Sequence, residues 1–141
     1  MSIYNDYNCC GPGVDDRGHF NDPSDLVQSN VFQEENPITA ALIAEGVFEF
    51  SFDAKAGDIS GSSTAIAFIR TLDPNAGFAL TNDITVDTTD LADDWERLTL
   101  SIDLSDPLLE GQILQFGFAT EASNFEPSNN FYDNLEFCPA P

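Results

Sequence analysis

Carboxylates dominate the chemistry this sequence can offer. Twenty-five Asp and Glu residues face four basic ones, Arg17, Lys55, Arg70 and Arg97, for a formal charge of −21. One histidine, His19, and three cysteines, Cys9, Cys10 and Cys138, complete the reactive inventory. Nucleophilic catalysis needs a nucleophile held beside a base. A lone His, no GxSxG turn and cysteines near the chain ends do not supply that arrangement. Asp93-Asp94 or Glu34-Glu35 could imitate a glycosidase pair. In so acidic a chain such doublets arise by composition, and both read as solvated, turn-like segments. No enzymatic activity is expected.

One carboxylate stands apart. In NFYDNLEF, Asp133 falls in phase with Phe131, Leu135 and Phe137, the side read as core, within what patterns as a closing strand. Asp and Asn are depleted in strands, and a buried carboxylate needs a partner. Backbone N–H groups of a turn, an arginine or a metal cation would each serve.

The charge also bounds the partners. A field of this sign repels nucleic acid and anionic membrane, so neither is expected; it suits a solvated, secreted or salt-adapted surface. No apolar run reaches the length of a transmembrane helix. The start, MSIYNDYNCC, has neither a basic nor an apolar leader region, so no signal peptide is read in it. That start and the CPAP finish read as the edges of a segment cut from a longer precursor. The odd cysteine count leaves at least one thiol unpaired within the chain. A Cys138 disulfide to Cys9 or Cys10 would tie the termini together, with reduced thiols as the alternative. Without CxxC spacing, and with a single His, the cysteines do not read as a zinc site.

The elements that must position these residues alternate with period two. VFEFSFDA sets Phe48, Phe50 and Phe52 against Glu49, Ser51 and Asp53. TAIAFIRTL sets Ile66 and Phe68, read as core, against Ala65, Ala67 and Ile69. WERLTLSIDL points Leu98, Leu100, Ile102 and Leu104 inward, with Arg97, Thr99, Ser101 and Asp103 outward. QILQFGFAT points Leu114, Phe116 and Phe118 inward, with Ile113, Gln115 and Gly117 outward. LVQSNVF adds a strand, FALTNDITVDTTD one or two more, and ITAALIAEG a strand or a short helix. Turn-rich segments separate them: KAGDISGSS, LDPNAG, LSDPLLEG and EPSNN. Residues 1–25 read as an irregular segment with room for one edge strand, and 26–138 as the sandwich of a single domain covering 1–141. About eight strands at hairpin spacing mean an all-β, antiparallel β-sandwich or jelly roll. Four side chains project from the face read as non-core and offer hydrogen bonds to a ligand: Arg97, Gln115, Tyr132 and Glu49. Arg70 reads as a strand-end bridge to a carboxylate.

The order VFEFSFDAKAG, AFIRTLDP, TTDLADDWERLTLSIDL, GQILQFGF and NFYDNLEF resembles the carbohydrate-binding jelly-roll modules of the cellulose- and xylan-binding type, within the galactose-binding-like sandwich group. It covers roughly residues 47–137. The chain departs from that pattern at its start, where Asn5-Asp6 is the nearest substitute for the family's acidic first strand. Trp95 matches the family's strand-entry tryptophan, which packs on the sandwich edge. The resemblance implies a structural Ca²⁺ with Asp133 as a ligand. Further ligands would come from Asp6, Asp15 or Asp16, or from Asp53. The resulting expectation is a monomeric, extracellular or cell-surface, non-catalytic module that binds a polysaccharide or oligosaccharide. The rival is a structural or interaction sandwich of a secreted or surface protein without sugar affinity.

Overall fold

Alternation of Phe48, Phe50 and Phe52 with polar residues buries one face of a strand, and a second sheet must cover that face. The computed structural model describes residues 2–5, 26–59, 61, 63–123 and 128–141. Its strands are β1 (Ser2–Asn5), β2 (Leu26–Glu35), β3 (Val47–Ala56), β4 (Thr64–Asp73), β5 (Ala79–Asp87), β6 (Glu96–Asp103), β7 (Ile113–Ser123) and β8 (Ser128–Pro139). They form two four-stranded sheets, ordered β1-β8-β3-β6 and β2-β7-β4-β5. The pairings are antiparallel. Apart from the β4–β5 hairpin, consecutive strands cross between the sheets, which is the interleaved double Greek key of a jelly roll. The expected all-β sandwich is therefore the fold present. Glu34-Glu35 lies in β2, not in a turn.

Aromatic rings fill the space between the sheets. Phe50 contacts Phe116 and Phe118 across the gap at centroid distances of 5.3 and 5.5 Å, and Phe52 meets Phe118 edge-on at 4.9 Å. Leu100, Ile102, Leu104, Ile69 and Leu114 complete the buried cluster. Each such side chain contributes about 1.5–3 kcal/mol of burial. The segment ITAALIAEG takes its helical option, α1 (Ala40–Glu45). Thr39 caps it by accepting from the Leu42 N–H, and Gly46 ends it at φ +83°, a conformation that favours glycine.

Two strands depart from the expected facing. On β4 the inward side chains are Ala65, Ala67 and Ile69, while Ile66 and Phe68 lie on the outer face. Opposite the aromatic rings of the other sheet the inward face of β4 carries two alanines and one isoleucine. On β8 the register slips: two steps along β3, Ser51 to Asp53, match three along β8, Glu136 to Asp133. Asn134 adopts φ +49° at this bulge. One extra residue inverts the phase. Phe137 stays inward, but Tyr132 now enters the core, while Phe131 and Asp133 turn outward.

Candidate functional site

The four expected ligand contacts are split three ways. Arg97 and Glu49 lie on the outer face of the β1-β8-β3-β6 sheet, and Gln115 lies on the outer face of the other sheet. Tyr132 faces inward and is 1% exposed, so its expected place on a ligand face is corrected. The Tyr132 ring stacks on Phe118 at 3.8 Å, and its hydroxyl shares a 2.9 Å hydrogen bond with Thr88. Burial pushes its pKa up, against the pull of the Thr88 and Asn130 hydrogen bonds. Neighbouring Asn130 is also buried: its oxygen accepts from the Gly57 N–H and its amide donates to the Thr88 carbonyl. This end of β8 clamps two loops.

Of the expected metal ligands, Asp6 lies outside the described residues. Asp133 and Asp53 are cross-strand partners on the outer face, so the core-side carboxylate inferred for Asp133 is corrected by the bulge. Asp133 is exposed and accepts from the Asn134 backbone N–H at 2.8 Å. Asp53 accepts from the Asn134 amide at 2.6 Å and from Arg97 at 3.3 Å. The Asn134 hydrogen bond foremost lowers its pKa, burial opposes, and the Arg97 hydrogen bond and charge assist. Arg97 also donates to the Asn134 carbonyl at 2.7 Å and to Glu136 at 2.5 Å. Ca²⁺ wants oxygen ligands; Asp53 instead meets a guanidinium and an amide N–H. Among the described residues no group of three His, Cys, Asp or Glu is arranged to hold a metal. Asp53 and Asp133 do not fit a calcium site. Cys138 is exposed and free among the described residues; Cys9 and Cys10, the partners expected for it, lie outside them.

The β2-β7-β4-β5 outer face gathers a different set. Register places Asp83, Arg70, Gln115 and Glu34 in one row across four strands. Arg70 Nε donates to Asp83 Oδ1 at 2.7 Å, and Gln115 Nε2 donates to Glu34 Oε2 at 2.7 Å. Arg70 thus bridges to a carboxylate as expected, but from mid-strand. The next row is Thr85, Phe68, Gly117 and Phe32. Phe68 is only 1% exposed, because the Arg70 guanidinium lies 4.4 Å above its ring and Phe32 packs beside it at 6.5 Å. Phe32 itself is 47% exposed. Gly117 lets β2 press in: a Cβ there would lie 2.1 Å from the Val31 carbonyl oxygen and 2.6 Å from Phe32 Cα. Along the same face a hollow of about 150 Å³ opens between Thr64, Ile66, Ala119 and Glu121.

The arrangement offers a half-exposed aromatic ring beside a fixed row of amide, guanidinium and carboxylate groups. It suits a flat ligand carrying many hydroxyls. A larger hollow, about 450 Å³, lies near the β5 and β6 ends. It has no aromatic lining, and its carboxylates Asp103 and Asp106 cap N–H groups of their own turn, at Ser105 and Leu108. Sequence parity alone could have shown Phe32 and Glu34 sharing a strand face. Their position beside Gln115 required the β2–β7 pairing.

No protein-family model matches the chain, and no curated protein matches it. Among solved structures it is similar to the enzymatically active domain of tailspike protein 4 from bacteriophage CBA120, with TM-score 0.51 and 13% identity over 97% of this chain. That likeness shows the fold alone. Two carbohydrate-binding modules align less well. One is of family 4, with TM-score 0.43, 18% identity and 86% of this chain covered. The other, of family 61, was solved with β-1,4-galactotriose, and has TM-score 0.44, 13% identity and 99% of this chain covered. At those TM-scores the two modules carry no weight. The chain spans 17% of the tailspike chain, 65% of the family 4 chain and 82% of the family 61 chain.

Proposed function

We propose that this chain is a non-catalytic carbohydrate-binding module of an extracellular or cell-surface protein. Its contact surface is the outer face of the β2-β7-β4-β5 sheet. One observation carries the reading: the exposed Phe32 ring stands beside the ordered Asp83–Arg70 and Gln115–Glu34 pairs. A pyranose ring laid on Phe32 buries its C–H face against an aromatic surface. Its hydroxyls then meet donors and acceptors whose geometry is already fixed, so little side-chain entropy is lost on binding. The partner is a polysaccharide or oligosaccharide. The formal charge of −21 argues against nucleic acid and anionic membranes as partners.

The test is affinity electrophoresis and calorimetry against neutral plant, algal and microbial polysaccharides, with Phe32→Ala and Gln115→Ala alongside the parent. Binding that both variants weaken, with unchanged circular dichroism, supports the reading. Silence across the panel removes it and leaves an interaction domain without sugar affinity. A structural Ca²⁺ remains part of the proposal only with Asp6 among its ligands. Calcium added to chelator-treated protein should then raise the melting temperature, and no rise removes the ion.

A further inference from the structure

The opposite outer face carries a second aromatic row. Lys55 sits on β3 with Phe131 as its partner on β8. Trp95 immediately precedes β6, and Ala54 pairs with Glu96, so Trp95 flanks Lys55 on its other side. The Lys55 ammonium lies 5.1 Å from the Trp95 ring centroid and 5.4 Å from that of Phe131. Trp95 is 49% exposed and Phe131 38% exposed. The edge packing expected of Trp95 is thus only half realised.

Lys55 is unusual in this chain. Among the described residues Arg70 and Arg97 are tied to carboxylates. Among the described residues Lys55 has no carboxylate or other acceptor on its ammonium, although the sequence holds 25 acidic residues. A cation–π contact leaves the three N–H donors of an ammonium available. Beyond Lys55 the face continues as hydrogen-bonding rows: Arg97, Asp53 and Asp133, then Thr99, Ser51 and Glu136. Ser51 and Thr99 share a 2.7 Å hydrogen bond across β3 and β6.

We propose that the Trp95–Lys55–Phe131 row is a second carbohydrate-contact site, on the sheet opposite to the first, and that it takes a neutral sugar chain. An occupant here must cover aromatic surface and supply oxygen acceptors to Lys55, and a pyranose does both. Asp53 and Asp133 in the adjacent row, together with the overall charge, disfavour an anionic chain such as a polyuronate. Two sites on opposite faces make the module able to bridge two glycan chains. This proposal shares only its ligand class with the reading above.

Trp95 is the one tryptophan of the chain, so its emission reports this site alone. The probes are cellohexaose, xylohexaose and β-1,4-galactotriose, followed by fluorescence and calorimetry. The expected result is two equivalents bound by the parent and one by Trp95→Ala. In Phe32→Ala the remaining equivalent should shift the Trp95 emission to the blue. Lys55→Met keeps apolar bulk on the rings and loses the donors; it should bind at this site about tenfold more weakly. One equivalent, abolished by Phe32→Ala and untouched by Trp95→Ala, overturns the second site and spares the first. One equivalent with the reverse dependence supports the second site and overturns the first. No binding of any probe overturns both.

Discussion

Asn134 donates its side-chain amide to Asp53 across the β3–β8 pair at 2.6 Å, from the single residue of β8 whose φ is positive. This contact sits where β8 carries one residue more than β3. A bulge of this kind needs a residue that tolerates the left-handed region, and Asn does so better than most. The same residue then secures the bulge from above through Asp53, while its carbonyl accepts from Arg97. The Asp-Asn pair that looks out of place in a strand is the device that turns Tyr132 into the core.

Asn134→Ala should therefore lose both the amide contact and the conformational fit, at about 1–2 kcal/mol in urea unfolding. Asn134→Gly keeps the fit and loses only the amide, so it should cost less than half as much. Equal losses for the two variants would show that the left-handed backbone is not what Asn134 supplies.

Acid should expose the same cluster. Asp53 has a pKa below its ordinary value, chiefly through Asn134, and Asp87 and Asp103 are lowered by their hydrogen bonds with Thr89 and Ser105. A carboxylate depressed in the folded state stabilises it above the unfolded pKa, and that contribution is lost as pH falls through the folded value. Protonation elsewhere also relieves the repulsion of a −21 chain, which works the other way. The comparison of parent with Asp53→Asn isolates the term. Their difference in melting temperature should be largest near neutrality and shrink as pH falls through the lowered folded pKa of Asp53. A difference constant over that range would remove Asp53 from the acid response.

Which strands were legible follows from how many of their faces are buried. β3 and β6 each bury one face, so period two reads them directly; β7 also buries Ile113 and Ala119 on its outer side, and only its inward rings Phe116 and Phe118 mark the core face. β4 buries Ala67 and Ile69 against the opposite sheet and Phe68 beneath Arg70 and Phe32, so hydrophobicity could not say which side was the core. β8 failed for a different reason: a bulge has no fixed sequence mark, and one inserted residue inverts every facing beyond it. In the candidate site Gln115 was readable from parity alone. Phe32, Glu34 and Asp83 were not, because strand pairing across 81 positions, as from Glu34 to Gln115, is set by the whole fold.

Gly117 tests the candidate face through its backbone. The nearest atoms to an added Cβ are main-chain atoms of β2, which cannot rotate away. Gly117→Ala should push β2 off β7, costing about 1–3 kcal/mol, and should displace Phe32 with it. Phe32→Ala should abolish glycan binding at this face at little cost in stability, since the ring is half exposed. An alanine at 117 that leaves both melting temperature and binding unchanged would mean that the close approach is not needed.

Tyr132 should mark the alkaline limit of the fold. Its phenol is held in the core against Phe118 and Phe52, and burial raises its pKa. A group whose folded pKa is raised supports the folded state fully below the unfolded value, near 10, and loses that support as pH climbs through the folded one. Tyr132 ionisation and unfolding should therefore coincide, its ultraviolet titration running together with loss of near-ultraviolet dichroism. Tyr132→Phe removes the proton, so alkaline unfolding should move to higher pH. At neutral pH the same change leaves Thr88 Oγ1 without its 2.9 Å partner and should cost about 1 kcal/mol. An alkaline midpoint identical in parent and variant would place the limiting ionisation elsewhere in the chain.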